Sequence, residues 1–362
     1  MVKYMFKSLI LSLSILVSAP AFSGDSDGDV DVNELIMHHV QDAHEWHVMG
    51  SEHGDDAVSI PLPIILIDNG LHVFSSSRLY HDGEIVHFTN EDEEKDYYLA
   101  NKELGYGMHH EKIYKLDENG ELSFHDGHAI NDKPLDFSIT KNVFSLFFSA
   151  LLLFLILKAS VKSYKNSGGL PSGIGRFVEP LVIFVRDDIA KVNIGEKKYE
   201  RFMPYLLTAF FFIWINNLLG LIPIFPGGAN LSGSISFTLT LAVFTLLFTV
   251  FSGNKHYWQH IFATPGVPKA LLPIMVPIEI IGIFTKPFAL MIRLFANITA
   301  GHIIILSLVG IIFTFQNAAW GALSVPMALF ISVLELLVAF LQAFIFTMLS
   351  ALFIGTAVAE HH

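Results

Sequence analysis

The 362-residue sequence contains no cysteine. Disulfide bonds and thiolate metal centres are therefore excluded, and the redox state of the compartment cannot be inferred from thiols. The phosphate-binding pattern G-x-x-x-x-G-K-[ST] is also missing, so no nucleotide site is predicted. Internal repeats with broken helices at matching positions, which are typical of many secondary transporters, are not visible either.

Apolar residues, by contrast, are abundant. They make up 52% of the chain, with 32 phenylalanines and a mean hydropathy of +0.52. Several apolar runs approach the length that crosses a bilayer as a helix. The predicted fold class is an all-α polytopic membrane protein with five transmembrane helices and a long C-terminal helical hairpin, plus a small β-rich soluble N-terminal domain. The five spans are expected at residues 143–161, 204–224, 236–251, 276–315 and 322–359.

Charge is distributed unevenly along the chain. The net charge is −12, but residues 22–142 carry 26 Asp and Glu against 7 Lys and Arg, whereas residues 158–201 carry 9 Lys and Arg against 5 Asp and Glu. Because Lys and Arg concentrate in cytoplasmic loops of membrane proteins, the basic segment is predicted to be cytoplasmic. The acidic block then lies outside the cytoplasm and the C-terminus inside. Nothing in the charge pattern suggests a nucleic-acid partner.

The first residues have the features of a secretory signal peptide. Lys3 and Lys7 precede a short apolar core, and Ser18-Ala-Pro-Ala21 supplies small residues at a cleavage site. A retained first membrane helix is the alternative, although the apolar core is short for a span. We therefore expect a signal peptide at residues 1–23, an acidic histidine-rich extracytoplasmic domain at 24–140, and a membrane domain at 143–360.

Residues 24–140 contain 12 of the 17 histidines. Short β-forming runs between Asp-Asn-Gly and His-Asp-Gly turns predict a small β-rich domain. Residues 33–47 are predicted to form a short amphipathic helix, on which His44 and His47 would share a face. Together with His38 they could bind a metal, but no further ligand at close spacing supports this site. We expect a solvated histidine-rich surface, with no metal and no other cofactor.

The last two apolar segments hold nearly all the buried ionisable residues. Arg293 lies in their most apolar part, where a permanently charged guanidinium costs roughly 2.5 kcal/mol or more. Such a charge is expected to serve an ion pathway. The alternative, an arginine snorkelling at a helix end, conflicts with the apolar and small residues that follow it. The other polar residues of these segments are Glu279, Lys286, Asn297, His302, Glu335 and Gln342.

A turn at residues 316–320 would fold these segments into an antiparallel hairpin. In such a hairpin, two residues that face each other at the same level have residue numbers whose sum is the same for every facing pair. Arg293 with Gln342, and His302 with Glu335, give nearly the same sum. Two polar pairs are therefore predicted at two levels of the hairpin.

This arrangement suggests proton transfer. His302 and Glu335 carry groups that can exchange protons, whereas Arg293 cannot, although its fixed charge favours the ionised form of a facing carboxylate. No carboxylate of this chain is predicted at the level of Arg293, so the mobile proton carrier should belong to another protein. Glu279, 14 residues before Arg293 and roughly 21 Å away along the helix, would serve a second exit.

Several segments resemble one known family. Residues 293–302, Arg-Leu-Phe-Ala-Asn-x-x-Ala-Gly-His, and residues 341–346, Leu-Gln-Ala-Phe-Ile-Phe, look like the signature segments of subunit a of F-type ATP synthases. Residues 216–223, Asn-Asn-Leu-Leu-Gly-Leu-Ile-Pro, and residues 277–287 are similar to two other spans of that family. The resemblance covers about residues 143–360.

The resemblance implies a proton-translocating, non-catalytic stator subunit in the bacterial inner membrane, with two half-channels. It implies that Arg293 faces the carboxylate of a c-ring, with Gln342 beside it. The implied partners are the c-ring, the b-subunit stalk, the remainder of the complex and membrane lipid. Family members commonly carry an acid at position 302 and a basic or acidic group at position 335, whereas this chain has His302 and Glu335. The block 24–140 exceeds the short leader usual in the family.

Two other functions remain open at this point. An ion-coupled secondary transporter would use Arg293 to hold an anionic substrate, and a sensor would bind a ligand or metal through its outer block. The first should show internal repeats and the second a cytoplasmic output domain, and the sequence displays neither. Helix association through polar side chains accounts for Asn297 and Gln342 but not for Arg293.

Overall fold

A computed structural model describes residues 41–49, 58–89, 95–125, 127–166, 170, 172–222, 225–263, 268, 271–314 and 318–359. These residues divide into a β-rich unit, residues 43–141, and a membrane unit, residues 142–359, which also includes residues 41 and 42. The predicted signal peptide at residues 1–23, and the segment after it up to residue 40, lie outside the described residues.

The β-rich unit is built from short antiparallel strands and one short helix. Branched and aromatic residues between turns favour strands here. The elements are β1 Glu45–Met49, β2 Val58–Pro61, β3 Pro63–Ile67, β4 Leu71–Ser75, α1 Ser77–Tyr80, β5 Glu84–Thr89, β6 Lys95–Asn101, β7 Tyr106–His109, β8 Lys112–Lys115, β9 Phe124–His125, β10 His128–Ala129 and β11 Leu135–Asp136.

The largest sheet of this unit is the four-stranded meander β5-β6-β7-β8, and β11-β3-β4 forms a second sheet. Successive side chains of a strand point to opposite faces. The meander accordingly buries Leu99 and Met108 in one apolar cluster and Tyr98 and Tyr114 in another. Ile64 of β3 belongs to the first cluster, so the two sheets share a core.

The predicted helix over residues 33–47 is wrong in its described part. Glu45–Met49 forms β1, which pairs with β2 and places Trp46 opposite Ile60. His44 lies in a bend before β1 and His47 lies within it, so these two histidines do not share a helical face. The metal site considered for their helical spacing therefore loses its basis, and residue 38 lies outside the described part of the chain.

The membrane unit is helical, and the chain as a whole is mostly helical with a β-rich N-terminal part. Its helices are α2 Lys141–Asn166, α3 Ile174–Phe184, a π-helix Val185–Lys191, α4 Val192–Ile194, α5 Tyr199–Leu221, a 3-10 helix Leu231–Gly233, α6 Ile235–Phe251, α7 Lys255–Phe262, α8 Leu272–Thr314 and α9 Ala318–Val358.

Four of these helices, α2, α5, α8 and α9, are long and apolar enough to cross a membrane. Helices α6 and α7 add a fifth candidate only if they are taken together as one span, and they are bent by 101° at their junction. The described residues therefore supply four or five spans, and the predicted number of five is the upper value.

Helices α8 and α9 are much longer than a membrane is thick. Their 43 and 41 residues extend for roughly 65 and 62 Å at about 1.5 Å per residue, about twice the hydrocarbon thickness of a bilayer. Helices of this length fit into a bilayer only if they are strongly tilted. The separation of roughly 21 Å between Glu279 and Arg293 is thus a distance along the helix, and their difference in depth is smaller.

Polar contacts hold α9 against its neighbours. The last carbonyls of a helix lack intrahelical donors, and Val358 O accepts hydrogen bonds from Lys198 Nζ at 2.9 Å and Asn254 Nδ2 at 2.8 Å. Farther along α9, the Ser350 hydroxyl lies 3.1 Å from the Thr245 hydroxyl of α6. Helix α9, which carries two of the predicted site residues, is thereby fixed in position.

Candidate functional site

His302 on α8 and Glu335 on α9 lie next to each other. His302 Nδ1 is 3.9 Å from Glu335 Oε1, and the two side chains are only 19% and 11% exposed. This contact confirms the predicted pairing of these residues across the hairpin. The same register predicts Arg293 and Gln342 at one level, roughly 14 Å from His302 along α8.

Both nitrogens of the His302 ring face hydrogen-bond acceptors. Nδ1 lies 3.1 Å from Ile298 O, and Nε2 lies 3.3 Å from Gly220 O near the end of α5. A carbonyl oxygen can only accept, and a neutral imidazole donates through one nitrogen only. The His302 ring lies among three acceptors, the two carbonyls and the Glu335 carboxylate.

Gly301 lets the Glu335 carboxylate approach the surface of α8. A Cβ atom at position 301 would overlap with Glu335 Oε1. Any residue larger than glycine would therefore displace the carboxylate from its place beside His302. The pairing of histidine and glutamate depends on the absence of a side chain at this position.

A small cleft, with room for about one water molecule, adjoins this pair. Its polar lining consists of Asn217, Asn297, His302 and Glu335. Asn217 Nδ2 donates to Ala339 O at 3.1 Å, whereas its buried Oδ1 accepts no hydrogen bond from any residue that the structure describes. The titratable pair of His302 and Glu335 therefore lies near the end of α5, together with Asn217 Oδ1, a buried oxygen that can still accept a hydrogen bond.

A second cleft lies on the other side of Arg293 along the hairpin. It is lined by Thr249 of α6, Tyr257 of α7, Lys286 of α8 and Phe353 of α9, among others. Side-chain contacts between α5 and α6 show that these helices are antiparallel. Because the first cleft adjoins the end of α5 and the second adjoins the end of α6, the clefts lie toward opposite ends of the helices.

Arg293 lies between the two clefts on an exposed part of α8, and Asn297 is exposed one turn later. Leu290, three residues before Arg293, and Leu294, the next residue, are buried in the core. None of the salt bridges found among the described residues of this unit includes Arg293. A permanent charge in apolar surroundings is expected to have a partner of opposite charge, and the exposed position directs this guanidinium away from its own chain.

Gln342 and Glu279 are the remaining predicted site residues. Gln342 is 3% exposed and lies within the helix packing of α9. Glu279 is half-buried in the first part of α8 and is close enough to Tyr257 for an electrostatic interaction. Since Tyr257 lines the second cleft, Glu279 lies on the side of Arg293 that this cleft occupies.

Three groups at this site were not predicted as site residues from the sequence: Asn217, the carbonyl of Gly220 and the glycine at position 301. Two consecutive asparagines, Asn216 and Asn217, within an apolar span were the available signal, because amides at membrane depth need hydrogen-bond partners. The carbonyl and the glycine act only through neighbours that are distant in sequence, and no pattern along the chain reveals them.

Comparison with known proteins places the membrane unit in a family. Residues 143–355 match the family model described as ATP synthase A chain. The chain belongs to this family. Residues 35–137 match a separate family model, which is described as a domain of unknown function. The family membership sets aside the secondary-transporter and sensor alternatives for the membrane unit.

Bacterial ATP synthase subunits a are similar to this chain over the same region. ATP synthase subunit a 2 of Chlorobaculum tepidum is 55% identical over 233 residues, which cover 62% of this chain and 64% of the relative. ATP synthase subunit a of an Anaeromyxobacter species is 46% identical over 266 residues, or 69% of this chain and 63% of the relative. The protein from Chloroherpeton thalassium is 47% identical over 255 residues, with shares of 65% and 75%. The chain thus spans just under two thirds of the first two relatives.

Proposed function

We infer that this chain is the proton-translocating stator subunit of an F-type ATP synthase. The observation that carries the inference is the position of Arg293, a permanent charge on an exposed part of an apolar helix, between two polar clefts. In this role the guanidinium faces an ionisable carboxylate of a rotating c-ring. The family membership supports the same function. The subunit is a channel component, without a catalytic or nucleotide site of its own and without a cofactor.

The first cleft serves as the outer half-channel. A proton that enters past Asn217 and Asn297 is taken up by His302 and Glu335 and then passed to the ring carboxylate. The pair suits this task because an imidazole and a carboxylate both exchange protons, and the two lie in contact beside the cleft.

Arg293 and Gln342 separate the two half-channels. A carboxylate that passes Arg293 is driven into its ionised form by the adjacent positive charge, so a proton cannot cross this point while bound to the ring. A proton must therefore bind to the ring on one side of Arg293, travel around with the ring, and leave the ring on the other side. The second cleft, with Glu279 and Lys286 nearby, serves the cytoplasmic side.

The orientation of the chain follows from its basic segment. Lys198 of that segment contacts the C-terminal end of α9, which supports a cytoplasmic location for both. With α6 crossing the membrane there are five spans. A signal peptide at residues 1–23 is removed, and residues 24–140 form an extracytoplasmic domain. The location is the bacterial inner membrane, and the partners are the c-ring, the b-subunit stalk, the rest of the complex and lipid.

Copurification tests this function. The full-length chain with a mild affinity tag, extracted from bacterial membranes in a gentle detergent, should bring down an oligomeric c-ring and an ATP-hydrolysing head. A tagged bacterial membrane protein of another family serves as the control for unspecific recovery. If the folded chain is recovered alone, or with partners that have no ATPase activity, the proposed function is wrong.

A further inference from the structure

The β-rich unit contains a second cluster of titratable side chains, far in sequence from the residues discussed so far. Asp96 of β6, His109 of β7 and His110 of the following turn each offer one ligand atom, and these three atoms lie within 4.8 Å of one another. Asp96 Oδ2 is 2.9 Å from His109 Nε2 and 3.5 Å from His110 Nε2. We propose that Asp96, His109 and His110 bind a divalent transition-metal ion of the zinc type.

The distances suit a single ion. With bonds of about 2.0 to 2.2 Å to nitrogen and oxygen, two ligands of a tetrahedral zinc ion lie roughly 3.3 Å apart. The two distances that end on Asp96 Oδ2 are close to this value, so an ion could be bound with small side-chain rotations. Two imidazoles and a carboxylate, without thiolates, form a donor set that suits Zn²⁺ and similar ions better than Ca²⁺ or Mg²⁺.

The backbone brings the two histidines together in an unusual way. Consecutive residues of a strand normally point to opposite faces of the sheet, but the rings of His109 and His110 are stacked with their centres 4.0 Å apart. This is possible because His110 and Glu111 form a two-residue turn between β7 and β8, with φ angles of 47° and 61°. Such turns favour Asn-Gly, and neither residue here is glycine.

The positive φ angle of His110 therefore has an energetic cost for a residue with a side chain. Its partner in the turn, Glu111, accepts a hydrogen bond from the buried Tyr80 hydroxyl, which helps to hold the turn in place. His110 is 60% exposed, and its described contacts are those with His109 and Asp96. The strain at His110 thus places its ring where it can act as a ligand.

The surroundings prepare the other two ligands. The amide of Tyr97 donates to Asp96 Oδ1 at 2.7 Å, which orients the carboxylate and leaves Oδ2 directed at the histidines. Phe88 and Phe124 pack around the His109 ring at 5.8 and 5.0 Å between centres. Outer contacts of this kind fix the orientation of metal ligands.

The protonation states also agree with metal binding. Burial lowers the pKa of His109, which favours the neutral imidazole, although the hydrogen bond with Asp96 partly offsets this effect. Partial burial opposes the charge of Asp96, but the hydrogen bonds from His109 and from the Tyr97 amide outweigh it and lower the pKa of the carboxyl group. A neutral imidazole and an ionised carboxylate are the forms that bind metals.

Zinc competition with a fluorescent chelator tests the site. The full-length protein, in lipid nanodiscs and with a tag that contains no histidine, should bind one Zn²⁺ that is insensitive to excess Mg²⁺. The changes His109→Ala, His110→Ala and Asp96→Asn should each weaken this binding roughly 100-fold or more, since even changes in outer contacts cost about 10- to 100-fold. The matched control is His87→Ala, because His87 is exposed on the neighbouring strand β5. Wild-type binding no tighter than that of His110→Ala, or equal loss in His87→Ala, would overturn the proposal.

His110→Cys gives a direct test that does not depend on loss of binding. Because His110 is exposed, the substitution leaves the core intact, and because the native chain has no cysteine, any thiolate signal comes from this position. After loading with Co²⁺, the variant should show a thiolate-to-cobalt charge-transfer band that the wild type lacks. A variant that binds Co²⁺ without this band would show that position 110 is not a ligand, and the proposed site would be wrong.

Discussion

Both units of the chain pair a histidine with carboxylates, but in different surroundings. In the β-rich unit, the 3% exposed His44 lies between two carboxylates, with Nε2 3.3 Å from Asp136 Oδ2 and Nδ1 3.7 Å from Glu111 Oε2. In the membrane unit, His302 lies 3.9 Å from Glu335 beside a cleft. In the β-rich unit the histidine has carboxylates at both ring nitrogens, whereas in the membrane unit it has one carboxylate and adjoins a cleft.

The difference distinguishes charges that stabilise the fold from charges that take part in proton transfer. Burial opposes the charge of His44, but the hydrogen bonds and the attraction of Asp136 and Glu111 outweigh it and raise the pKa to about 9. His44 therefore stays charged at neutral pH and links the bend before β1 to β11 and to the β7–β8 turn. A buried charge with two partners stabilises the unit. A titratable pair beside a cleft is suited to proton transfer instead, and a permanent charge without a partner among the described residues is suited to act on a group of another protein.

Loss of Arg293 should have the largest effect. Arg293→Ala should abolish ATP-driven proton pumping, because no other permanent charge among the described residues lies between the two clefts, while ATP hydrolysis by the detached head remains. Quenching of a pH-sensitive dye in membrane vesicles measures the pumping. Arg201→Ala, which removes an exposed arginine at the start of α5, is the control and should pump normally. Normal pumping by Arg293→Ala would show that proton transfer does not require the charge of Arg293.

Glu335→Gln should slow passive proton flow through the membrane sector on the order of 100-fold, the typical size of an effect of removing a proton-transfer group. The substitution keeps the volume of the side chain, so assembly should not change. Proton flow is measured in vesicles from which the catalytic head has been stripped. Ser332→Ala, an exposed change about one turn earlier on α9, is the matched control. Equal flow in wild type and Glu335→Gln would place the proton path elsewhere.

The register of the hairpin can be tested by crosslinking, since the chain has no native cysteine. A double variant with His302→Cys and Glu335→Cys should oxidise readily, because these residues face each other. His302→Cys with Gln342→Cys should form little disulfide, since the two positions are offset by about 10 Å along the helices. Gel mobility after mild oxidation gives the yields. The opposite pattern of yields would refute the pairing of His302 with Glu335.

The β-rich unit should lose stability in alkali. The pKa of His44 is about 9 in the folded state and about 6.5 when unfolded. Its contribution is therefore fully present below pH 6.5 and is lost as the pH rises through 9, by roughly 3 kcal/mol in total. The change His44→Gln should destabilise the unit and remove this dependence on pH between 6.5 and 9.

Urea unfolding of the full chain measures this effect through the fluorescence of Trp46, which is buried in β1. For this measurement the other three tryptophans, Trp214, Trp258 and Trp320, are replaced by phenylalanine. The exposed His87→Ala should keep the dependence on pH. If His44→Gln keeps it too, the buried histidine is not the charged link between the strands.

Removal of the β-rich unit should have the smallest effect on pumping. A chain that keeps residues 1–42 and continues at residue 142 retains both clefts and every proposed pathway residue. In an assembled complex it should therefore pump protons, as measured by the same dye assay. Normal assembly with complete loss of pumping would show that the β-rich unit takes part in proton transfer.

The sequence by itself determined the membrane class and the helical hairpin, and it singled out Arg293, His302 and Glu335 as candidate pathway residues. These features depend on patterns that follow chain order: the length of apolar runs, the rarity of charge within them, and the spacing of polar residues about one turn. The pairing of His302 with Glu335 could be predicted because the two helices are joined by a short turn. The residues that face each other then follow from the number of residues between each of them and the turn.

The groups that complete the His302–Glu335 site and the Asp96–His109–His110 cluster are visible only in the tertiary structure. The carbonyl of Gly220 meets His302 because α5 and α8 both pack against α9, and such a contact has no trace in the local sequence. Where the sequence predicts a helix over residues 33–47, the structure has a bend at His44 and a paired strand from Glu45 onward, because burial of Trp46 in a paired strand outweighs weak local propensity. The cluster of Asp96 with His109 likewise depends on strand register and on a turn with positive φ angles, which are properties of the folded sheet.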